Sequence, residues 1–204
     1  MEEKNQSGVI PEHYTGKIID TVETIDVGDA DTAKVFFATV KDRLLNVNNW
    51  ENVAGIASAN FQLVDAQGKE VDRTVQKGDF FKIDIPGPGP VAGDGYDWVQ
   101  VEEVAEVSEG DTESVGIRVR PTGSPLNSSE DVAHFYSTES TSSFTVTREG
   151  TTITAGIYDR NTKPNDSAAN LVDKIRDMAV GSGAVTAFSS IQWTKLVKGL
   201  LKRE

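Results

Sequence analysis

The order of elements along the chain predicts an α+β fold, a curved antiparallel sheet of six to seven strands gripping a long C-terminal helix. Three observations predict it. An amphipathic helical stretch, Asp31 to Val47, comes early. Strand-like alternation then runs from about Ala59 to Asp159, punctuated by turns. A longer helical stretch, Ser167 to Lys202, closes the sequence. Strands joined mostly by short turns pair antiparallel, because a parallel pair needs a long crossover.

Residues 1–12 are polar, end near Pro11, and read as a flexible tail ahead of one domain over residues 13–204. Ile18, Val22 and Ile25 among threonines suggest a first strand near Gly16 to Thr24. The acidic turn from Asp26 to Asp31 precedes the first helix, and Asp29 or Asp31 can accept from its free N–H groups. Ala33, Phe36, Phe37, Val40 and Leu44 recur at helical spacing and give that helix one apolar face. Asn46 to Asn49 breaks it, and Trp50 to Val53 forms a short second helix.

In the sheet region Ala59, Phe61 and Leu63 alternate with polar residues, and Ala66 to Lys69 is a turn. Phe81, Ile83 and Ile85 alternate next. Pro86-Gly87-Pro88-Gly89-Pro90 ends that strand, because proline lacks the ladder donor. Val99 and Val101, then Ile117 and Val119, give two more strands. His134 to Ser137 and Ser143 to Arg148 follow. Arg148-Glu149-Gly150-Thr151 is a tight hairpin turn leading to Ile153, Ala155 and Ile157. In this register Arg118, Arg120, Tyr136 and Tyr158 fall on the face away from the core, and a slip of one residue would turn them inwards. Ser167 is a fitting N-cap for the last helix, which Gly181-Ser182-Gly183 interrupts.

Composition narrows the function classes. A chain of 204 residues buries roughly 70% of its unfolded surface, enough for a core without staples. Cysteine is absent, which excludes disulfides, thiolate metal ligands and a thiol nucleophile. The net charge of −12 opposes phosphate backbones and anionic surfaces, so no nucleic-acid partner is expected. Lys195, Lys198, Lys202 and Arg203 sit where cations suit a helix C-terminus. No apolar signal region and no stretch of ~20 apolar residues is present, so a soluble cytoplasmic protein without stable membrane insertion is expected.

Chemical motifs are sparse. The Asp26/Asp29/Asp31 and Asp94/Asp97 groups lack the calcium-loop pattern, and two histidines without cysteine supply zinc poorly, so no metal and no cofactor is expected. Gly181-Ser182-Gly183 lacks the spacing of a nucleophile elbow. Gly87, Gly89 and Gly93 invite a phosphate-loop reading, but Pro88 and Pro90 remove donors and no Gly-Lys-Ser/Thr follows. His134 and Tyr136 are the candidate catalytic groups, His134 because imidazole titrates near neutrality.

A strand, one or two short helices ending near a Trp, an antiparallel sheet and a long last helix resemble the helix-grip superfamily. That superfamily includes START-like lipid-transfer domains, birch-pollen-allergen-like proteins and polyketide cyclase/dehydratase-like proteins. The resemblance is carried by Asp31 to Phe36, Asn49-Trp50, the loop Pro86 to Gly95, and Ser167 to Leu201. It rests on element order, without a diagnostic motif. It implies a hydrophobic cavity between sheet and last helix, and most often binding rather than chemistry.

The expected ligand is then a lipid-like or polycyclic molecule, in a cavity of at least ~300 Å³. The expected walls are Phe61, Phe81, Ile83, Val99, Ile117, Phe144, Ile157, Met178 and Phe188, with Gly87, Gly89 and Gly93 at the mouth. The alternatives are a cyclase/dehydratase-type enzyme on the same fold, and a structural or interaction module without a cavity. A monomer or weak homodimer is expected.

Overall fold

The computed structural model describes residues 5–55, 59–85, 93–126, 132–165 and 183–203, with side chains in the last helix described from residue 190 onwards. Seven strands make one antiparallel sheet. They are β1 (Lys17–Asp26), β2 (Asn60–Val64), β3 (Phe80–Asp84), β4 (Asp97–Glu109), β5 (Thr112–Pro121), β6 (Thr141–Glu149) and β7 (Thr152–Thr162). Their order across the sheet is β1-β7-β6-β5-β4-β3-β2. Only β1 departs from sequence order, because it pairs with β7 at one edge.

Two helices separate β1 from β2. α1 (Ala30–Leu45) starts at Asp29, whose carboxylate accepts from the Thr32 amide at 2.8 Å. That contact satisfies one of the free N–H groups of the first turn. Ala33, Phe37, Val40, Leu44 and Leu45 are its buried residues. A 3-10 turn (Val47–Asn49) leads into α2 (Trp50–Ala54). α3 (Gly183–Leu200) closes the chain and packs against α2, β1 and β7. This is the helix-grip arrangement.

The core fills the space between the helices and one face of the sheet. Trp50 sits at its centre. Its ring meets Phe61, Phe81 and Phe144 at centroid distances of 5.2, 5.7 and 4.8 Å, and its Nε1 donates to the Leu44 carbonyl at 3.0 Å. Apolar residues spaced two apart along β3, β5 and β7 supply the opposite wall, which is the period a half-buried strand requires.

Three expectations change. First, residues 5–12 do not stand off as a tail. Val9 and Ile10 are buried against Tyr158 on the outer face of the sheet. Ser143 Oγ and Arg118 Nη1 both donate to the Val9 carbonyl, at 3.1 and 3.2 Å. The polar composition hid a two-residue apolar plug. Second, β4 and β5 run well past the segments expected, and meet at a two-residue turn, Gly110-Asp111. Gly110 has φ +58°, as Gly150 has +59° in the equivalent β6–β7 turn, and such turns favour glycine. Third, His134 to Ser137 is no strand. Tyr136 makes one isolated bridge to Pro164, so this stretch is a loop pinned beside the end of β7. Residues 166–182, including the expected Ser167 cap and the glycine interruption, lie largely outside the described residues.

Candidate functional site

The strongest candidate site is a small cavity between the inner face of the sheet and α3. Its volume is about 50 Å³. β2 and β3 contribute Phe61, Phe81 and Ile83, β4 contributes Val99, and β6 contributes Phe144. The loop 132–137 closes one side with His134, Phe135 and Tyr136, and α3 closes another with Gln192 and Trp193. Ser142 and Asp159, facing each other across β6 and β7, supply polar groups to the floor.

Asp159 is there by strand alternation. Ile153, Ala155 and Ile157 point into the core, and the next residue in that row is Asp159. It is 1% exposed. Its Oδ2 accepts from Trp193 Nε1 at 3.1 Å, which ties β7 to α3. Its Oδ1 is buried and accepts no hydrogen bond from the described residues. The Ser142 hydroxyl is close enough to favour the charged form without closing a well-formed bond. Burial is the larger influence and pushes the carboxyl up to about 6.

His134 is held by its own loop. Its Nδ1 accepts from the Tyr136 amide at 2.9 Å, and its ring stacks on Phe135 at 4.3 Å. An accepting Nδ1 places the proton of the neutral ring on Nε2. Burial pulls its pKa down to about 3, so the imidazole is neutral across the physiological range. Asn165 fixes the loop from behind by donating to the carbonyls of Val132 and His134 at 3.2 and 3.0 Å. The Phe135 amide donates to Asp97 at 3.2 Å.

On α3, Gln192 Oε1 accepts from the Ala59 amide at 3.1 Å, and Trp193 packs edge-on against Phe144 at 5.3 Å. The helix is thus positioned at the cavity by two polar contacts and by the Trp193 ring, which also lies 6.5 Å from Phe61.

Of the expected wall residues, Phe61, Phe81, Ile83, Val99 and Phe144 line this cavity, whereas Ile117 and Ile157 belong to the filled core. Met178 and the Phe188 side chain lie outside the described residues, as do Gly87 and Gly89. Gly93 is not at the mouth. It packs against Trp98 and Ala133 on the opposite face of the sheet, where Trp98 Nε1 donates to its carbonyl at 3.3 Å. Tyr136 was expected on that outer face and instead lines the cavity, because its segment is a loop free of strand alternation. Asp159, Ser142, Gln192 and Trp193 were missed. The alternation Ile153, Ala155, Ile157 extended by one step was the signal that could have found Asp159.

At about 50 Å³ the cavity is well short of the ~300 Å³ a lipid-like or polycyclic ligand needs. Among the described residues no group of three or more His, Asp or Glu side chains could hold a metal ion. No described helix is long and apolar enough to cross a membrane.

No family model matches the chain. No curated protein matches it either. Solved structures do. The hypothetical protein jhp0584 from Helicobacter pylori is 11% identical, with a TM-score of 0.50 over 90% of this chain and 87% of that one. Ginseng major latex-like protein 151 from Panax ginseng is 14% identical, with a TM-score of 0.39 over 92% of this chain and 100% of that one. Norcoclaurine synthase from Thalictrum flavum, in complex with dopamine and hydroxybenzaldehyde, is 11% identical, with a TM-score of 0.34 over 92% and 90%. The first of these, at 11% identity, is a likeness of fold alone.

Proposed function

We propose that this chain binds a small apolar molecule bearing a hydroxyl or N–H donor, in the cavity between the sheet and α3. One observation carries the reading. A buried carboxyl oxygen, Asp159 Oδ1, lacks a partner among the described residues, inside a cavity walled by Phe61, Phe81, Phe144 and Trp193. A buried acceptor without a partner costs about 1–3 kcal/mol. A ligand donor would recover that, while the aromatic walls take its apolar body.

The size of the cavity restrains the choice of ligand. A space of about 50 Å³ takes a few heavy atoms as it stands. A single-ring molecule needs the walls to yield slightly, and a lipid-like or polycyclic ligand needs α3 to move. The first is the reading supported here.

A second reading, an enzyme of the cyclase/dehydratase type, draws on the same residue. A carboxyl group whose pKa sits at about 6 can give or take a proton near neutrality. His134 at about 3 is a poor base, and its Nε2–H suits donation to a substrate oxygen.

The test is to denature freshly purified protein and analyse released small molecules by mass spectrometry, against a heat-treated blank. A molecule near one per chain, with an apolar body and a hydroxyl or amine, is the expected result. Crystals under xenon pressure provide the complementary check, because apolar cavities take up xenon. No released molecule together with no xenon between Phe144 and Trp193 would mean a filled core, and the binding reading would be abandoned.

A further inference from the structure

We propose that the groove between α2 and α3 is a second site, which binds a phosphate-bearing anion independently of the cavity. The groove has a volume of about 570 Å³, within the ~300–1,000 Å³ of small-ligand sites. Arg43, Lys195, Lys198 and Lys202 line it together with Asn49 and Asn52, and among the described residues no carboxylate does. That is unusual in a chain with 32 acidic and 20 basic residues.

Elsewhere most described cations have an acidic partner. Lys77 pairs with Glu103, Lys82 with Glu70 and Lys163 with Glu139. Among the described residues Lys195, Lys198 and Lys202 form no ion pair. The end of α3 does not account for all three. Arg43 reaches across from α1 and donates to the carbonyls of Leu200 and Lys202, at 2.9 and 2.6 Å, so it satisfies that terminus itself. Among the described residues no acidic side chain offsets the charge of these lysines around a concave surface.

The charged side chains of the lining are all donors. Ammonium groups and guanidinium have no acceptor. Asn52 donates to Asn49 Oδ1 at 2.8 Å, so that acceptor is already engaged. A phosphate group presents acceptor oxygens only, and charge-assisted bonds to it are the strong kind. The whole chain, at −12, repels anions at long range, so an anion held here is held by the groove and not by the general field. The same chemistry is offered by a soluble phosphorylated molecule and by a phospholipid headgroup.

The experiment titrates inorganic pyrophosphate into ¹⁵N-labelled full-length protein and follows backbone amide shifts, with calorimetry for affinity. The variant Lys198→Glu/Lys202→Glu removes the groove charge. Lys34→Glu/Lys69→Glu makes the same change in net charge at two exposed, distant positions. Saturable shifts confined to α2 and the end of α3 are expected, with affinity reduced about tenfold or more by the groove variant, ~1.4 kcal/mol, and little changed by the distant one. Phosphatidylcholine vesicles with and without phosphatidic acid separate the sources. Vesicle binding that needs phosphatidic acid, and that pyrophosphate competes away, assigns a headgroup. Pyrophosphate binding without vesicle binding assigns a soluble ligand. No saturable shift, or equal loss in both variants, overturns the proposal.

Discussion

Asp97 stands at the head of β4, 3% exposed, with the Phe135 amide as its hydrogen-bond donor. Burial raises its pKa to about 7. The folded state keeps that proton to about pH 7, whereas the unfolded chain loses it near the ordinary carboxylate value. Between the two the folded state binds more protons, so its contribution to stability grows as pH falls from about 8 to about 5. Asp159, at about 6, adds in the same direction. His134 opposes them. Below its ordinary pKa the unfolded chain takes a proton that the folded state refuses down to about 3. Asp97→Asn keeps an acceptor for Phe135 and removes the charge. Denaturant melts should show it more stable than the parent at about pH 8, by on the order of a few kcal/mol at ~1.36 kcal/mol per pKa unit, with the gap closing towards pH 5. A gap independent of pH would count against the assignment.

Asn161 also acts at this scale. It takes φ +56°, and its side chain holds the N-terminal segment. Oδ1 accepts from the amides of Tyr14 and Thr15 at 2.8 and 3.2 Å, and Nδ2 donates to the Glu12 carbonyl at 3.2 Å. Asn161→Gly keeps the backbone conformation and loses the latch, while Asn161→Ala loses both. Hydrogen exchange of Tyr14 and Thr15 should quicken in both variants, and the global melt should drop further for Ala. Equal melts would remove the backbone argument.

At the scale of elements, the contact between α2 and α3 is made possible by a missing side chain. A methyl group on Gly199 would run into the Val53 carbonyl oxygen, which is backbone and cannot swing aside. Gly199→Ala should therefore part the two helices. Helix propensity favours alanine by about 1 kcal/mol, so a variant governed by propensity alone would be more stable. A lower melting temperature with altered amide shifts in both helices is the expected result, and a higher one would contradict the packing.

The elements themselves were largely legible. Asp29 as a cap, the Ala33 to Leu44 face and the Gly150 turn are local signals, and local signals survive folding. What was illegible depended on partners distant in sequence. Val9 and Ile10 are two apolar residues in a polar stretch, and only the outer face of the sheet makes them a plug. The loop His134 to Tyr136 mimicked a strand because three aromatic rings in a row resemble β-propensity, while its real anchors are Asp97 and Asn165. The polar half of the candidate site came from Asp159 and Trp193, brought together from β7 and α3, and a single carboxylate among alternating apolar residues gives no motif to read.

For the whole molecule, one aromatic residue joins the layers. Trp50 touches rings from β2, β3 and β6 and bonds back to α1. Trp50→Ala should cost about 3–5 kcal/mol in denaturant melts, the range for emptying a large aromatic from a core. A loss below ~1 kcal/mol would show that the helices are held to the sheet by other contacts. Beyond that packing, two places among the described residues carry the candidate sites. One is a carboxylate buried among aromatics, and the other a basic groove on an acidic surface.

The first of these is tested most directly by a matched pair of probes. Phenol and toluene differ by a hydroxyl in place of a methyl. At about pH 8, above the Asp159 pKa of about 6, both are titrated into the parent and into Asp159→Asn, following the Trp193 indole and Phe144 resonances. The asparagine keeps an acceptor for Trp193 and turns an N–H donor into the cavity. Phenol should bind the parent about tenfold tighter than toluene, as one recovered hydrogen bond implies, and that preference should vanish in the variant. Equal affinities in the parent, or a phenol preference that survives the substitution, would contradict Asp159 as the anchor. No shift with either probe would contradict the cavity as a binding site.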